Sequence, residues 1–285
     1  MIAPDLPPLP EPADMQAALR AGLPGFGDVA WLPETGSTNA DLLARARAGN
    51  APPLPWLLGA HQQHGGRGRA GRSWSSAAGD ALMVSCAFDV RLPGSRLPGL
   101  APAAGIAACE TLRHLAGPAG AMRLAMKWPN DVQLDDAKLA GVLVESLRKP
   151  GAGAEAYVVV MGIGLNLRRA AELSRRLGRA VADWSQAVAG LPAALLPEPA
   201  RMAAELACAW RAAVQAYERH GFAAFSGRFS RVDALAGRTV NVVEGDRILL
   251  SGAACGVDEH GRLLVQDGAA HRPISVGEIS IRAQA

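Results

Sequence analysis

Residues 65–74 read GGRGRAGRSW, and the residues just beyond this stretch decide the fold. Gly66, Gly68 and Gly71 match GxGxxG, the glycine pattern of a dinucleotide-binding turn. That turn works only at the start of a helix, whose first amides cradle a pyrophosphate, with an acidic residue ~20 positions further on. Here the chain continues RSWSSAAGD, whose serines and glycine do not make a helix, and Asp89 falls inside or just past the next apolar run. A nicotinamide-binding fold therefore rests on the glycine match alone, and a Walker-type loop is excluded, since GxxxxGK[ST] is absent. There remains a loop rich in glycine and in arginine (Arg67, Arg69, Arg72). Its glycines lose much conformational freedom on ordering, and its guanidiniums repel one another. Such a segment is expected to gain order from an anion, because planar Arg forks and bare amides suit carboxylate and phosphate oxygens. The alternative is a solvated surface loop.

The chain around the loop is that of a large domain with a smaller one attached, which 285 residues favour. A net charge of +3, spread along the chain, calls for no nucleic-acid partner. Cys86, Cys109, Cys208 and Cys255 lie far apart with no CxxC, so they read as reduced thiols. No apolar run approaches the ~20 residues of a membrane span. The Pro-rich start, MIAPDLPPLPEP, lacks the features of a signal peptide. A cytoplasmic location is expected.

Residues 1–13 read as an irregular arm, and residues 14–30 have room for one short helix before the strand-like VAWLPE. GSTNADLLARARAGN reads as a helix: Thr38 with Asp41 fits a capping box, Leu42, Leu43 and Ala46 give an apolar face, and Gly49 stops it. Ser37, Thr38 and Asn39 either cap that helix or bind polar ligand atoms. WLLGAHQQ and DALMVSCAFDV are strands bracketing the loop. Ile106, Cys109, Leu112 and Leu115 mark a helix stopped by Gly117. RLAMKWPNDVQL and KLAGVLVESL flank a hairpin turn at Asp135–Asp136–Ala137. In YVVVMGIGLNL, alternation sends Ile163, Leu165 and Leu167 to a core and Gly162, Gly164 and Asn166 to the other face. That second face is a bare ligand surface or a bulged edge. Residues 199–221 form the clearest helix, with a core stripe of Met202, Leu206, Trp210, Ala213 and Tyr217. From Leu235 onward, short strands between turn signals suggest a small β-barrel. Lys127 and Lys138 bracket the hairpin, and a cation entering a half-buried sheet needs an anionic partner; otherwise both are surface charges.

GSTN, QHGGRGRAGRSW, KWPNDVQLDDAKLAGVLVE and GIGLNL, in this order and spacing, resemble the biotin–protein ligases. These enzymes attach biotin to the carrier subunit of biotin-dependent carboxylases. The resemblance runs from about Trp31 to the C-terminus. It implies an α+β fold, with a mixed β-sheet flanked by helices like that of class II aminoacyl-tRNA synthetases, and then an SH3-like β-barrel. The domains would be an arm (1–30), a catalytic biotin- and ATP-binding unit (31–232) and the barrel (233–285).

By the same resemblance, Ser37, Thr38 and Asn39 contact the biotin ureido ring, and Gln63, just ahead of the loop, belongs to the biotin site. Arg67, Gly68, Arg69, Gly162 and Gly164 complete the biotin site, and Lys138 meets the biotin carboxylate and its activated form. Arg69, Arg72, Trp74, Lys127, Asn130, Asp131 and Asn166 face the nucleotide, with Lys138 and Arg69 as the catalytic pair. ATP and Mg²⁺ serve as co-substrate and activator, Asp131 is a candidate metal ligand, and a biotin carboxyl carrier domain is the partner. Some relatives carry an N-terminal DNA-binding domain and act as repressors; no such domain fits before Trp31, and neither DNA nor a membrane is expected as a partner. Ala70 stands at a loop position that is basic in some relatives, and His64 and Gly65 are variants just ahead of it. A lipoate or octanoate transferase, a nicotinamide oxidoreductase and a non-catalytic biotin sensor are the rival readings.

Overall fold

A computed structural model describes residues 4, 6–49, 51–74, 76–149, 151–277 and 280–283. In chain order its elements begin with helix α1 (Pro12–Gly22), strand β1 (Asp28–Thr35), α2 (Thr38–Ala48), β2 (Trp56–Gln63) and β3 (Ala81–Arg91). Helices α3 (Leu100–Leu115) and α4 (Gly117–Arg123) come next, then β4 (Leu124–Lys127), β5 (Asp131–Leu134), β6 (Ala137–Arg148) and β7 (Ala156–Asn166). Four more helices succeed them: α5 (Ala170–Leu177), α6 (Trp184–Ala187), α7 (Pro199–His220) and α8 (Ala223–Phe229). The chain closes with β8 (Thr239–Glu244), β9 (Arg247–Val257), β10 (Leu263–Asp267), β11 (Ala270–Ile274) and β12 (Ser280–Ala283).

Strands β1 to β7 make one mixed sheet in the order β1-β2-β3-β7-β6-β5-β4. Only β1 and β2 run parallel; the other neighbours are antiparallel. Period-2 alternation gives this sheet two different faces. Leu82, Val84, Cys86 and Phe88 of β3, with Val159, Met161, Ile163 and Leu165 of β7, join the main core under α3 and α7. Ala87, Val158 and Val160 point the other way and pack on Leu42 and Leu43 of α2. Further along that second face the β7 residues shrink to Gly162 and Gly164, and the sheet is left bare there.

Several expectations are corrected. Residues 12–22 belong to the core rather than to an arm: Met15 and Leu19 are fully buried, Arg20 Nε donates to the Val29 carbonyl (3.0 Å) and the Trp31 amide to Gln16 Oε1 (3.1 Å). The cap of α2 is Ser37, whose Oγ accepts from Ala40 N at 3.5 Å, while the Asp41 carboxylate takes the Thr35 hydroxyl. Thr38, one place inside the helix, is thereby free for the cavity wall. RLAMKWPNDVQL is two strands split at Trp128–Asn130, and α4 precedes them.

The C-terminal strands form an antiparallel sheet in the order β11-β10-β9-β8-β12. Its end strands are not paired with each other among the described residues, an arrangement that fits an SH3-like domain. Its apolar face (Val240, Val242, Ala254, Leu263, Val265) is continuous with the main core. Trp128 Nε1 donates to the Gly261 carbonyl at 2.9 Å, and Arg238 pairs with Asp136 at 2.5 Å.

Candidate active site

The bare stretch of sheet is the floor of a cavity of about 870 Å³, a size suited to small organic ligands. Every predicted site residue except Asn166 borders it. Asn166 is buried, and its amide donates to the Ala182 and Lys138 carbonyls (3.1 and 3.5 Å), so it holds backbone rather than facing a ligand. The glycines are required by close approach. A Cβ on Gly162 would stand 2.1 Å from Asn39 Oδ1, and one on Gly164 would stand 2.3 Å from Cε2 of Trp74.

One end of the cavity is a network of short polar side chains. Thr38 N donates to Gln63 Oε1 (2.7 Å), Thr38 Oγ1 lies 2.7 Å from Ser85 Oγ, and Ser85 Oγ donates to Asn39 Oδ1 (2.6 Å). Asn39 Nδ2 donates to Glu145 Oε2 (2.9 Å), and Arg67 stands 3.7 Å from the other Glu145 oxygen. Sequence reasoning missed Ser85 and Glu145. Their signal was a lone hydroxyl inside ALMVSCAFDV and an acid closing LAGVLVE.

The other end is cationic. Lys138 Nζ pairs with Asp131 Oδ1 at 2.6 Å and lies 5.9 Å from the Trp74 ring centre. Burial pushes the Lys127 ammonium below its ordinary 10.5; Asp131 opposes this, while Lys138, Arg238 and Arg179 add to it. Arg179, for which the sequence offered no signal, also borders the cavity, as do Gly245 and Asp246 of the β8–β9 turn. A site this rich in neighbouring cations is built for an anion.

The glycine–arginine loop spans both ends. Its turn is closed by its own backbone. Arg67 and Ser73 form an antiparallel bridge, Gly68 N donates to the Arg72 carbonyl (2.6 Å) and Trp74 N to the Gly66 carbonyl (2.8 Å). The turn places Ala70 and Gly71 at φ 53° and 70°. Arg69 latches it shut, Nη1 donating to Asn130 Oδ1 (3.3 Å) and Nη2 to the Gly277 carbonyl (2.6 Å). Burial lowers the Arg69 pKa, Asp131 working against that and Arg72 with it.

A glycine-floored polar end, a cationic end beside an indole and an arginine-latched cover define a two-substrate enzyme cleft on a mixed sheet. Comparison with known proteins gives the class its family. The Biotin/lipoate A/B protein ligase family matches residues 34–166, and the Biotin protein ligase C terminal domain matches residues 236–282. The Bifunctional ligase/repressor BirA of Escherichia coli is 34% identical over 279 residues, covering 96% of this chain and 81% of that protein. The Biotin--[acetyl-CoA-carboxylase] ligase of Mycobacterium tuberculosis is 37% identical over 167 residues, 58% of this chain and 59% of that one. In fold the chain is similar to the biotin protein ligase from Aquifex aeolicus in complex with biotin and ATP. The TM-score is 0.70 at 22% identity, over 91% of this chain and 100% of that one. The chain belongs to the biotin protein ligase family and is a ligase.

Proposed function

We propose that this ligase activates biotin with ATP to biotinyl-5′-adenylate and transfers the biotinyl group to a lysine of a biotin carboxyl carrier domain, in the cytoplasm. The observation that carries the reading is the two-ended cavity, with ring-binding hydroxyls and amides at one end and, at the other, cations that include Lys138. In the first step the biotin carboxylate oxygen attacks the α-phosphorus and pyrophosphate leaves. Like-charge repulsion is the main obstacle, and Lys138, Lys127 and the loop arginines offset it where charge develops. In the second step the carrier amine attacks the acyl carbon and AMP leaves with the C–O bond electrons. The amine must shed a proton, and we assign its acceptance to Asp131, the carboxylate paired with Lys138.

The donor set fits a magnesium ion that arrives with the nucleotide. No group of three His, Cys, Asp or Glu side chains converges among the described residues, and magnesium is usually held by one or two carboxylates plus substrate phosphates. Asp131 would supply that carboxylate, and the ion would add charge neutralisation at the phosphates. Between the two steps the mixed anhydride must be kept from water, a task suited to the latched loop. Four unpaired cysteines agree with a reducing compartment, and among the described residues no helix is long and apolar enough to cross a membrane.

The test is to incubate the protein with ATP, Mg²⁺, biotin and a carrier domain and to weigh the carrier, with lipoate in parallel. A mass gain from biotin alone is expected. A gain from lipoate instead, or biotin binding with no carrier modified, overturns the reading.

A further inference from the structure

The polar end of the cavity is a chain of hydrogen bonds whose direction is fixed from both ends. Glu145 lies beyond the lining, and a carboxylate accepts without donating. Asn39 therefore turns Nδ2 toward it (2.9 Å), and the second Nδ2 hydrogen goes to the Leu143 carbonyl at a longer 3.3 Å. Asn39 Oδ1 must then accept, and Ser85 Oγ donates to it. With its proton spent, Ser85 can only accept from Thr38 Oγ1. At the opposite end the Thr38 backbone N–H, which cannot reverse, holds Gln63 Oε1 and turns Nε2 the other way. The Thr38 hydroxyl proton thus has two acceptors inside the wall, Ser85 Oγ at 2.7 Å and Gln63 Oε1 at 3.2 Å. Its lone pairs are left for the cavity.

The wall consequently offers a ligand one acceptor, Thr38 Oγ1, and one donor, Gln63 Nε2, side by side. The complementary edge is an N–H next to a C=O, as in a cyclic urea or lactam. A dithiolane or alkyl end would leave both wall groups unpaired, which a buried polar site penalises heavily. We infer that Glu145 is a positioning residue that sets the polarity of this chain and, through Ser85, selects acids whose ring presents adjacent N–H and C=O. The inference rests on the ligase reading and adds which groups impose the choice of acid.

The experiment measures KM for biotin and for its ureido N-methyl derivative by pyrophosphate release, on the full chain and on Glu145→Leu, Glu145→Gln and Ser85→Ala. Thermal melts report whether each variant is folded. The unaltered chain should prefer biotin by roughly 100-fold. Glu145→Leu and Ser85→Ala should each raise KM for biotin about tenfold and shrink that preference by a similar factor, with KM rising more than kcat falls and KM for ATP moving less. Glu145→Gln keeps an amide oxygen that accepts from Asn39 and should recover most of the preference. Full preference in Glu145→Leu, or a Gln variant as poor as the Leu one, overturns the inference, the second result tracing the effect to the charge facing Arg67. No release with biotin in the unaltered chain overturns the ligase reading, and this inference with it.

Discussion

Arg69 spans the mouth of the cleft, reaching both the β4–β5 turn at Asn130 and the C-terminal unit at Gly277. Hydrogen bonds from a charged donor contribute about 1.5–3 kcal/mol, so Arg69→Gly should loosen the cover by one to two orders of magnitude. The variant is expected to form adenylate and then leak it, labelling lysines on a bystander protein, as mass spectrometry would record. Strict carrier specificity would rule out containment. Lys127 gives a pH signature. Its ammonium sits below the ordinary lysine value because it is buried, so it loses its proton at a lower pH than a free lysine. A bound triphosphate favours the charged form, so binding takes up a proton once Lys127 begins to deprotonate. KM for ATP should therefore climb as pH rises toward 10.5, and Lys127→Arg, which stays charged, should flatten the climb. An unchanged slope in the Arg variant would take Lys127 out of the phosphate site.

At the scale of elements, β7 carries the design. One strand packs Val158 and Val160 against α2, then presents Gly162 and Gly164 as floor, simply by changing side-chain size on the same face. This was legible in the sequence, because alternation names the face of each residue in advance. Less legible was which side chain the missing Cβ makes room for. Trp74 fills the space above Gly164, and that contact ties the loop to the floor. Gly164→Val should push the indole out, at a strain cost of about 1–3 kcal/mol. KM for ATP is expected to rise roughly 10- to 100-fold while far-UV circular dichroism stays the same; an unchanged KM would separate Trp74 from the nucleotide. The cap of α2 shows the limit of local patterns: Thr38–Asp41 spelled a capping box, but β1 claimed the Asp41 side chain and β2 and β3 that of Thr38.

For the whole molecule, the apolar face of the C-terminal sheet is part of the main core, and Trp128 stitches the two units with a buried bond to Gly261. Calorimetry should therefore show a single unfolding transition. Trp128→Phe leaves a buried carbonyl unpaired at a cost of about 1–3 kcal/mol, which lowers Tm by several degrees. A separate early transition in the unaltered chain would mean that the units fold independently. The sequence by itself determined several elements and the resemblance: the span of β2, the stripe of α7, the turn after β5 and the glycine face of β7. These depend on near neighbours and on period, which a linear chain displays. Only the tertiary structure decided that Ser85 and Glu145 stand beside Asn39, that Arg179 joins the cationic end, that Asn166 serves the backbone and that Arg69 reaches Gly277. Those pairings arise from the order β3-β7-β6 within the sheet and from the docking of the C-terminal unit, and long-range packing of that kind leaves no periodic mark on the sequence.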